Sequence, residues 1–201
     1  RAKLGSLVSV HVADLATEKG ARSAVAHALA TLGQVDILVA NVGGPPPGLA
    51  GAMDLDVLRA SLDRCLLSMA QLCQGFLPGM RERGWGRILA ITSAGVRQPL
   101  PGMVYSNASR AGLTGYLKTL AREVAAAGVT VNSILPANQL TNRLRTLVGA
   151  GFEDFVASLP GGRGGDPRDF GRIAAFLCSE SAKYLTGVAL SVDGGTDAGL
   201  I

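Results

Sequence analysis

The chain has 201 residues, 48% of them hydrophobic and 17% charged, with a net charge of +4. That length suits one domain with a sizeable core, and that composition excludes a disordered or fibrous chain. A modest positive balance with 4% aromatics and no basic run is a solvated surface rather than a nucleic-acid stripe, and no apolar run reaches the length of a membrane span.

Strand and helix signals alternate along the chain. Leu7 to Val12 has a β-like pattern that ends at Asp14. Thr17 to Leu32 has helical spacing, with Thr17 as N-cap and Gly33 as stop. Val35 to Ala40 is a continuous apolar run of the kind a parallel sheet buries on both faces. Gly43 to Gly51 is a Gly/Pro-rich loop stiffened by Pro45, Pro46 and Pro47. The spacing then predicts a long helix, Asp54 to Arg83, with Leu58, Leu62, Cys65, Leu66, Met69, Leu72, Cys73 and Phe76 on one stripe. Ile88 to Thr92 is the next strand. A helix from Val104 to Ala126 buries Leu113, Leu117, Leu120 and Val124. Val129 to Leu135 is a strand stopped by Pro136, and short helical pieces fall within Thr141 to Leu159. Asp166 to Ser179 is a helix with Pro167 at its first position, and Val188 to Val192 is the last strand.

Strands alternating with helices of ten or more residues imply an α/β fold, a Rossmann-like doubly wound parallel sheet in a single domain. The three cysteines, Cys65, Cys73 and Cys178, lie in helical apolar patterns without metal spacing. They read as reduced, buried thiols of a cytoplasmic protein, and no signal peptide precedes them. His11 and His27 have no metal-like partner at useful spacing, so no metal is expected. The Gly161 to Gly165 run does not stand between a buried strand and a helix, so a mobile substrate-side loop is expected there rather than a phosphate cradle.

The chemistry is concentrated between Gly86 and Leu113. A buried strand ends in Thr92-Ser93-Ala94-Gly95, and a helix opens with Tyr105-Ser106-Asn107-Ala108-Ser109-Arg110. Strand ends facing helix starts are where open α/β sheets place their sites. Several further pieces stand in order around this stretch. They are Asp14 at a strand end, Ala40-Asn41-Val42-Gly43 after the next strand, Val131 to Pro136 and then Thr141, and Asp193-Gly194-Gly195 near the end. Together they resemble the short-chain dehydrogenase/reductase family, in its 3-oxoacyl-(acyl-carrier-protein) reductase-like branch. The resemblance implies an NAD or NADP cofactor and hydride transfer to or from a carbonyl or hydroxyl group, with a 3-oxoacyl thioester as a candidate substrate. It also implies a homodimer or homotetramer. It casts Ser93 as the group that polarises the substrate oxygen. It casts Asp14, Asn41, Gly43, Pro136 and Thr141 as cofactor contacts. Local roles stand beside these: Asp14 and Thr141 as helix caps, and Asn41 as a turn residue.

The sequence departs from the family pattern in two places. The family opens with a strand and a Gly-rich turn that holds the pyrophosphate. No such turn occurs here, and the chain begins with Arg1 rather than Met. About fifty upstream residues are therefore expected outside this sequence. The alternative is a shortened protein in which the Leu7 strand pairs directly with Val35 to Ala40. Secondly, counting thirteen residues from Ser93 places Ser106 where the family keeps its tyrosine, and Arg110 four later where it keeps lysine. Residues four apart share one helix face. Tyr105 is one residue off, about 100° around the helix. A serine is a far weaker acid than a phenol, and a guanidinium does not relay protons. A third family position, a water-holding asparagine, falls on Cys65. Two readings stay open. In one the backbone slips so that Tyr105 acts as acid/base beside Ser93. In the other Ser93, Ser106 and Arg110 form an unusual site, with Arg110 holding cofactor ribose or charge, or the protein is a catalytically silent binding or assembly subunit.

Overall fold

The computed structural model describes residues 7–199. Its strands are β1 (Ile37–Ala40), β2 (Gly86–Ile91), β3 (Val129–Pro136) and β4 (Ala189–Val192). They form one parallel sheet in the order β1-β2-β3-β4, with Ala40 opposite Ala90, Ala90 opposite Ser133 and Ser133 opposite Ala189. Each strand returns through a helical crossover, as parallel pairing demands. The helices are α1 (Glu18–Leu32), α2 (Leu55–Leu62), α3 (Ser68–Glu82), α4 (Val104–Val124), α5 (Asn142–Val148), α6 (Phe152–Ala157) and α7 (Pro167–Leu177).

Alternation along the strands sorts side chains to two faces. On one face Leu38, Ala40, Ile88, Ala90, Val129 and Val131 meet Met69, Cys73, Phe76 and Met80 of α3 and Leu113, Leu117, Leu120 and Val124 of α4. Leu15, Ala24, Val25 and Ala28, from α1 and the turn before it, lie at the margin of this cluster. On the other face Leu89 and Ile134 pack beneath Leu177 and Cys178 at the end of α7, with Phe170, Ile173 and Val192 around them. Helices thus lie on both faces, as the alternating pattern predicts. The caps read from the sequence are also present. Thr17 Oγ1 accepts from Gly20 N at 3.0 Å, and Asp166 Oδ1 accepts from Arg168 N at 2.8 Å with Pro167 behind it.

The long helix is not uniform. Residues 63–67 form one turn of π-helix between α2 and α3, in which Ser68 N reaches back to Asp63 O. Such a turn carries one residue more than an α-turn and re-phases the helix beyond it. Cys65 sits at its centre, fully buried.

The strand expected over residues 7–12 is not one. β1 pairs with β2 alone, so among the described residues β1 is the sheet edge, and pairing of the Leu7 segment with β1 does not occur. The segment runs along α1 instead. His11 Nε2 meets Ser23 Oγ at 2.9 Å, and the His11 and His27 rings stack at 4.3 Å. Leu7 and Val12 are 86% and 92% exposed. A β-like pattern without a ladder partner gains no backbone hydrogen bonds, and side-chain contacts with the nearest helix decide its path. The Gly161–Gly165 run is anchored at one end. Its end is fixed opposite the segment after β3, where Leu140 N donates to Gly165 O at 2.8 Å and Gly165 N donates to Asn138 O at 2.9 Å.

Gly128 closes the 3-10 turn that follows α4, with φ +71°, and a Cβ there would collide with the Gly84 carbonyl oxygen. Gly128→Ala should therefore cost about 1–3 kcal/mol from the left-handed backbone alone, read as a lower urea midpoint. Burial also pushes the Cys73 thiol up from 9.0 to about 12. Burial raises the Tyr116 phenol to about 12 as well, with the charges of Cys73 and Glu123 adding to it. Both groups keep their protons in the folded state at pH values where the unfolded chain releases them. Their contribution is complete below pH 9 and is lost as pH rises towards 12, so the urea midpoint should fall across that window.

Candidate active site

The site lies at the carboxyl ends of β1, β2 and β3. β2 ends at Ile91, and the chain turns through Thr92 and Ser93 into a short 3-10 turn. Ser93 is its N-cap, with Oγ accepting from Gly95 N at 3.1 Å. That bond fixes the oxygen and leaves the hydroxyl proton free to be donated outward. Asn107 on α4 supports the loop beyond this turn. Its amide donates to Leu100 O at 3.0 Å and accepts from Leu100 N at 3.3 Å. Nothing in the sequence pattern singled Asn107 out.

α4 presents three of the expected residues. Ser106 is buried, and among the described residues its hydroxyl makes no hydrogen bond. Arg110 is 6% exposed. Its Nη1 donates to Ile91 O and to Thr92 O, both at 2.9 Å. Ser93 and Arg110 are thus neighbours, joined through the peptide that precedes Ser93. Burial pulls the Arg110 guanidinium below its ordinary value. Cys65 acts in the opposite direction, and the charge of Arg143 adds to the lowering.

Tyr105 points elsewhere. Its hydroxyl accepts from Asp54 N at 2.7 Å, at the start of α2. Its ring lies under the loop at Gly48, where a Cβ would stand 3.0 Å from Cδ2. The loop is held there by Gly48 N to Gly102 O at 2.7 Å and Val104 N to Gly48 O at 3.2 Å. The reading in which the backbone slips and Tyr105 turns to Ser93 is therefore corrected. The helix phase stays in the counted frame, and the phenol is held by packing and an amide 51 residues away.

The expected cofactor contacts are distributed as follows. Asn41 and Gly43 are exposed in the loop after β1, with open space at Gly43. Pro136 ends β3, half-buried. Thr141 caps α5, its Oγ1 accepting from Leu144 N at 3.3 Å. Asp14 lies before α1, its Oδ1 accepting from Ala16 N at 3.0 Å. Thr141 thus makes its local role as a helix cap, whereas Asp14 holds only the turn before α1, whose cap is Thr17. One residue not anticipated joins the site. Arg143 of α5 reaches over Gly44, with Nη2 3.4 Å from Pro45 O and 2.6 Å from where a Gly44 Cβ would be. Its signal was absent from the sequence because its partner is 98 residues away. A separate depression of about 500 Å³ beside β4, lined by Arg97, Lys118 and Leu190, lies apart from these strand ends.

The residues present fit one half of a dinucleotide. The open backbone at Gly43, the Ser93 hydroxyl and the unused donors of Arg110 suit the nicotinamide and its ribose. A Gly-rich pyrophosphate turn does not occur among the described residues. No group of three metal-ligating side chains occurs among them either, and no helix there is long and apolar enough to cross a membrane.

A parallel sheet with helices on both faces and its polar candidate residues gathered at the strand ends is a Rossmann-like arrangement. Residues 1–197 match the enoyl-(acyl carrier protein) reductase family model. Acetoacetyl-CoA reductase of Shinella zoogloeoides is 32% identical over 189 residues, 94% of this chain and 78% of that protein. Nodulation protein G of Azospirillum brasilense is 35% identical over 192 residues, 96% of this chain and 78% of that one. L-sorbose reductase of Gluconobacter frateurii, solved with NADPH and L-sorbose, superposes with a TM-score of 0.86 at 30% identity, covering 94% of this chain and 76% of that one. The chain belongs to the short-chain dehydrogenase/reductase family of oxidoreductases.

Tyr105→Phe removes the acceptor of a part-buried amide. It should lower stability by about 1–3 kcal/mol, read by thermal unfolding, while changing turnover per folded molecule less than twofold.

Proposed function

We propose that the protein is an NAD(P)-dependent oxidoreductase that interconverts a ketone and a secondary alcohol, with Ser93 and Arg110 as its working pair. The observation that carries this is the pair of bonds from Arg110 Nη1 to the Ile91 and Thr92 carbonyls, which holds a permanent cation on the peptide that precedes Ser93. The names of the relatives point the same way: acetoacetyl-CoA reductase and L-sorbose reductase share a ketone substrate. NADPH is the cofactor in the L-sorbose reductase complex, and NADPH is the form we assign here.

The nicotinamide supplies the hydride when bound. The residues of this chain do the rest. Asn41, Gly43 and Pro136 border the nicotinamide side, and Thr141 flanks it. The Ser93 hydroxyl donates to the substrate oxygen, its own oxygen held by Gly95 N. Arg110 lowers the cost of negative charge developing on that oxygen, an effect magnified by burial. Ser106, whose hydroxyl makes no hydrogen bond among the described residues, lies on the same helix face and orders the water that delivers the proton. A serine is too weak an acid to supply it alone. Self-association through the α2–α3 and α4 helices, and a cytoplasmic setting in which the three free thiols stay reduced, belong to the same proposal.

The test is fluorescence titration with NADPH and NADH, then assay against simple ketones and 3-oxoacyl thioesters. Ser93→Ala should lower kcat/KM by roughly 100-fold or more, the effect of removing one oxyanion donor, with NADPH affinity kept. Tight NADPH binding without turnover of any ketone would instead mark a binding or assembly subunit.

A further inference from the structure

The depression beside β4 lies on the face of the sheet that α4 covers. It exists because the side chains there are small. Thr114, Leu117 and Lys118 fall at i, i+3 and i+4 of α4 and share one side of the helix. Beneath them β3 offers Val131 and Ser133, two residues apart and therefore on one face of the strand. Ser133 stands opposite Ala189 of β4, and Gly187 comes just before that strand. Serine, alanine and glycine do not fill the space, and about 500 Å³ stays open. That volume is within the range that takes a small organic molecule.

Three polar groups meet in this depression with capacity to spare. Ser133 is 2% exposed, and among the described residues its hydroxyl makes no hydrogen bond. A buried hydroxyl without a partner is costly, and this one lines an open space. Lys118 Nζ donates to Gly187 O at 2.8 Å, and Arg97 Nη2 donates to Ala189 O at 2.9 Å. The two acceptors are two residues apart, so both cations are tied to the rim of one cavity. An ammonium has three donors and a guanidinium five, so most of them are unused by these bonds. Among the described residues neither cation has a carboxylate partner. The remaining lining is apolar. Leu117 and Val131 are buried at its floor, and Val188 and Leu190 stand exposed beside it.

We infer that this depression is a second binding site, one that takes a short aliphatic carboxylate. The carboxylate accepts from Arg97 and Lys118, and the Ser133 hydroxyl donates to its inner oxygen. A guanidinium meets a carboxylate edge to edge, and an ammonium adds a point charge. The aliphatic body lies against the apolar lining and removes it from water. A bare inorganic anion satisfies the charges and leaves that lining wet. A neutral hydrocarbon does the reverse. The site uses no atom of Ser93 or Arg110, so it stands or falls apart from the oxidoreductase reading.

The probes are butanoate and hexanoate, beside methyl hexanoate and inorganic phosphate. Binding is read by calorimetry and by backbone amide shifts in NMR spectra. Hexanoate should bind at least roughly ten times tighter than its methyl ester. It should also bind about ten times tighter than butanoate, near threefold per added CH2. The shifts should centre on Lys118 and on Gly187 to Leu190. Lys118→Gln and Arg97→Gln should each weaken hexanoate roughly fivefold and leave the ester unchanged. Both side chains are exposed, so neither change threatens folding. Ser133→Ala should weaken hexanoate about threefold without lowering the urea midpoint of the ligand-free protein, because its hydroxyl has no partner to lose. Hexanoate that binds no tighter than its ester, or no tighter than butanoate, would overturn the site. Phosphate that binds as tightly as hexanoate would reduce it to a patch of charge and overturn it too. So would shifts centred on Asn41, Ser93 and Arg110, or hexanoate binding untouched by both Gln variants, since the carboxylate would then sit elsewhere.

Discussion

The guanidinium of Arg110 spans from the first half of α4 to the end of β2 and holds them together by two 2.9 Å bonds to successive carbonyls. Those carbonyls lie where the ladder gives out, and a buried acceptor without a donor costs about 1–3 kcal/mol. The same contact sets the height of Ser93 against α4. Where the family resemblance leads one to expect an ammonium on a flexible stem, this chain has a planar fork with fixed donor directions. The site is accordingly built around a charge that cannot leave, and the residues near it are arranged to live with that charge.

The replacement of the phenol is as informative as that of the amine. α4 keeps its expected phase, so Ser106 and Arg110 face the strand ends and Tyr105 turns away by one residue's rotation. The tyrosine is not spare. It occupies the space beneath Gly48 and accepts the first free amide at the start of α2. A helix N-terminus has four unmatched N–H groups, and Asp54 handles two others with its side chain, from Asp56 and Val57. Tyr105 adds a third partner to that cap from another part of the chain.

Much of this was legible in the sequence for a definite reason. Periodicity is local, so β1 to β4 and α1, α4 and α7 could be placed from apolar spacing and from Thr17, Gly33 and Pro167. The counted frame from Ser93 to Ser106 and Arg110 depended only on helix geometry. Residues 7–12 misled because an alternating pattern reports which face is apolar, not whether a neighbouring strand exists. The π-turn at residues 63–67 left no mark, since one extra residue in a long apolar stripe reads as ordinary scatter. Arg143 and Asn107 were invisible for a different reason. Their roles come from contacts that only folding creates, with Pro45 and Leu100.

The loop between β1 and α2 is riveted to the entrance of α4 at two points, by the Gly48–Met103 bridge and by the phenol of Tyr105. Two fastenings fix a direction as well as a position. That wall cannot swing away to admit a bulkier guest without unseating the cap of a helix. The segment after β3 is built otherwise, with α5 and α6 short and separated by glycines at 149 and 151. The two sides of the strand ends thus differ in how they are held, one by cross-chain fastenings and the other by brief helices with glycine between them.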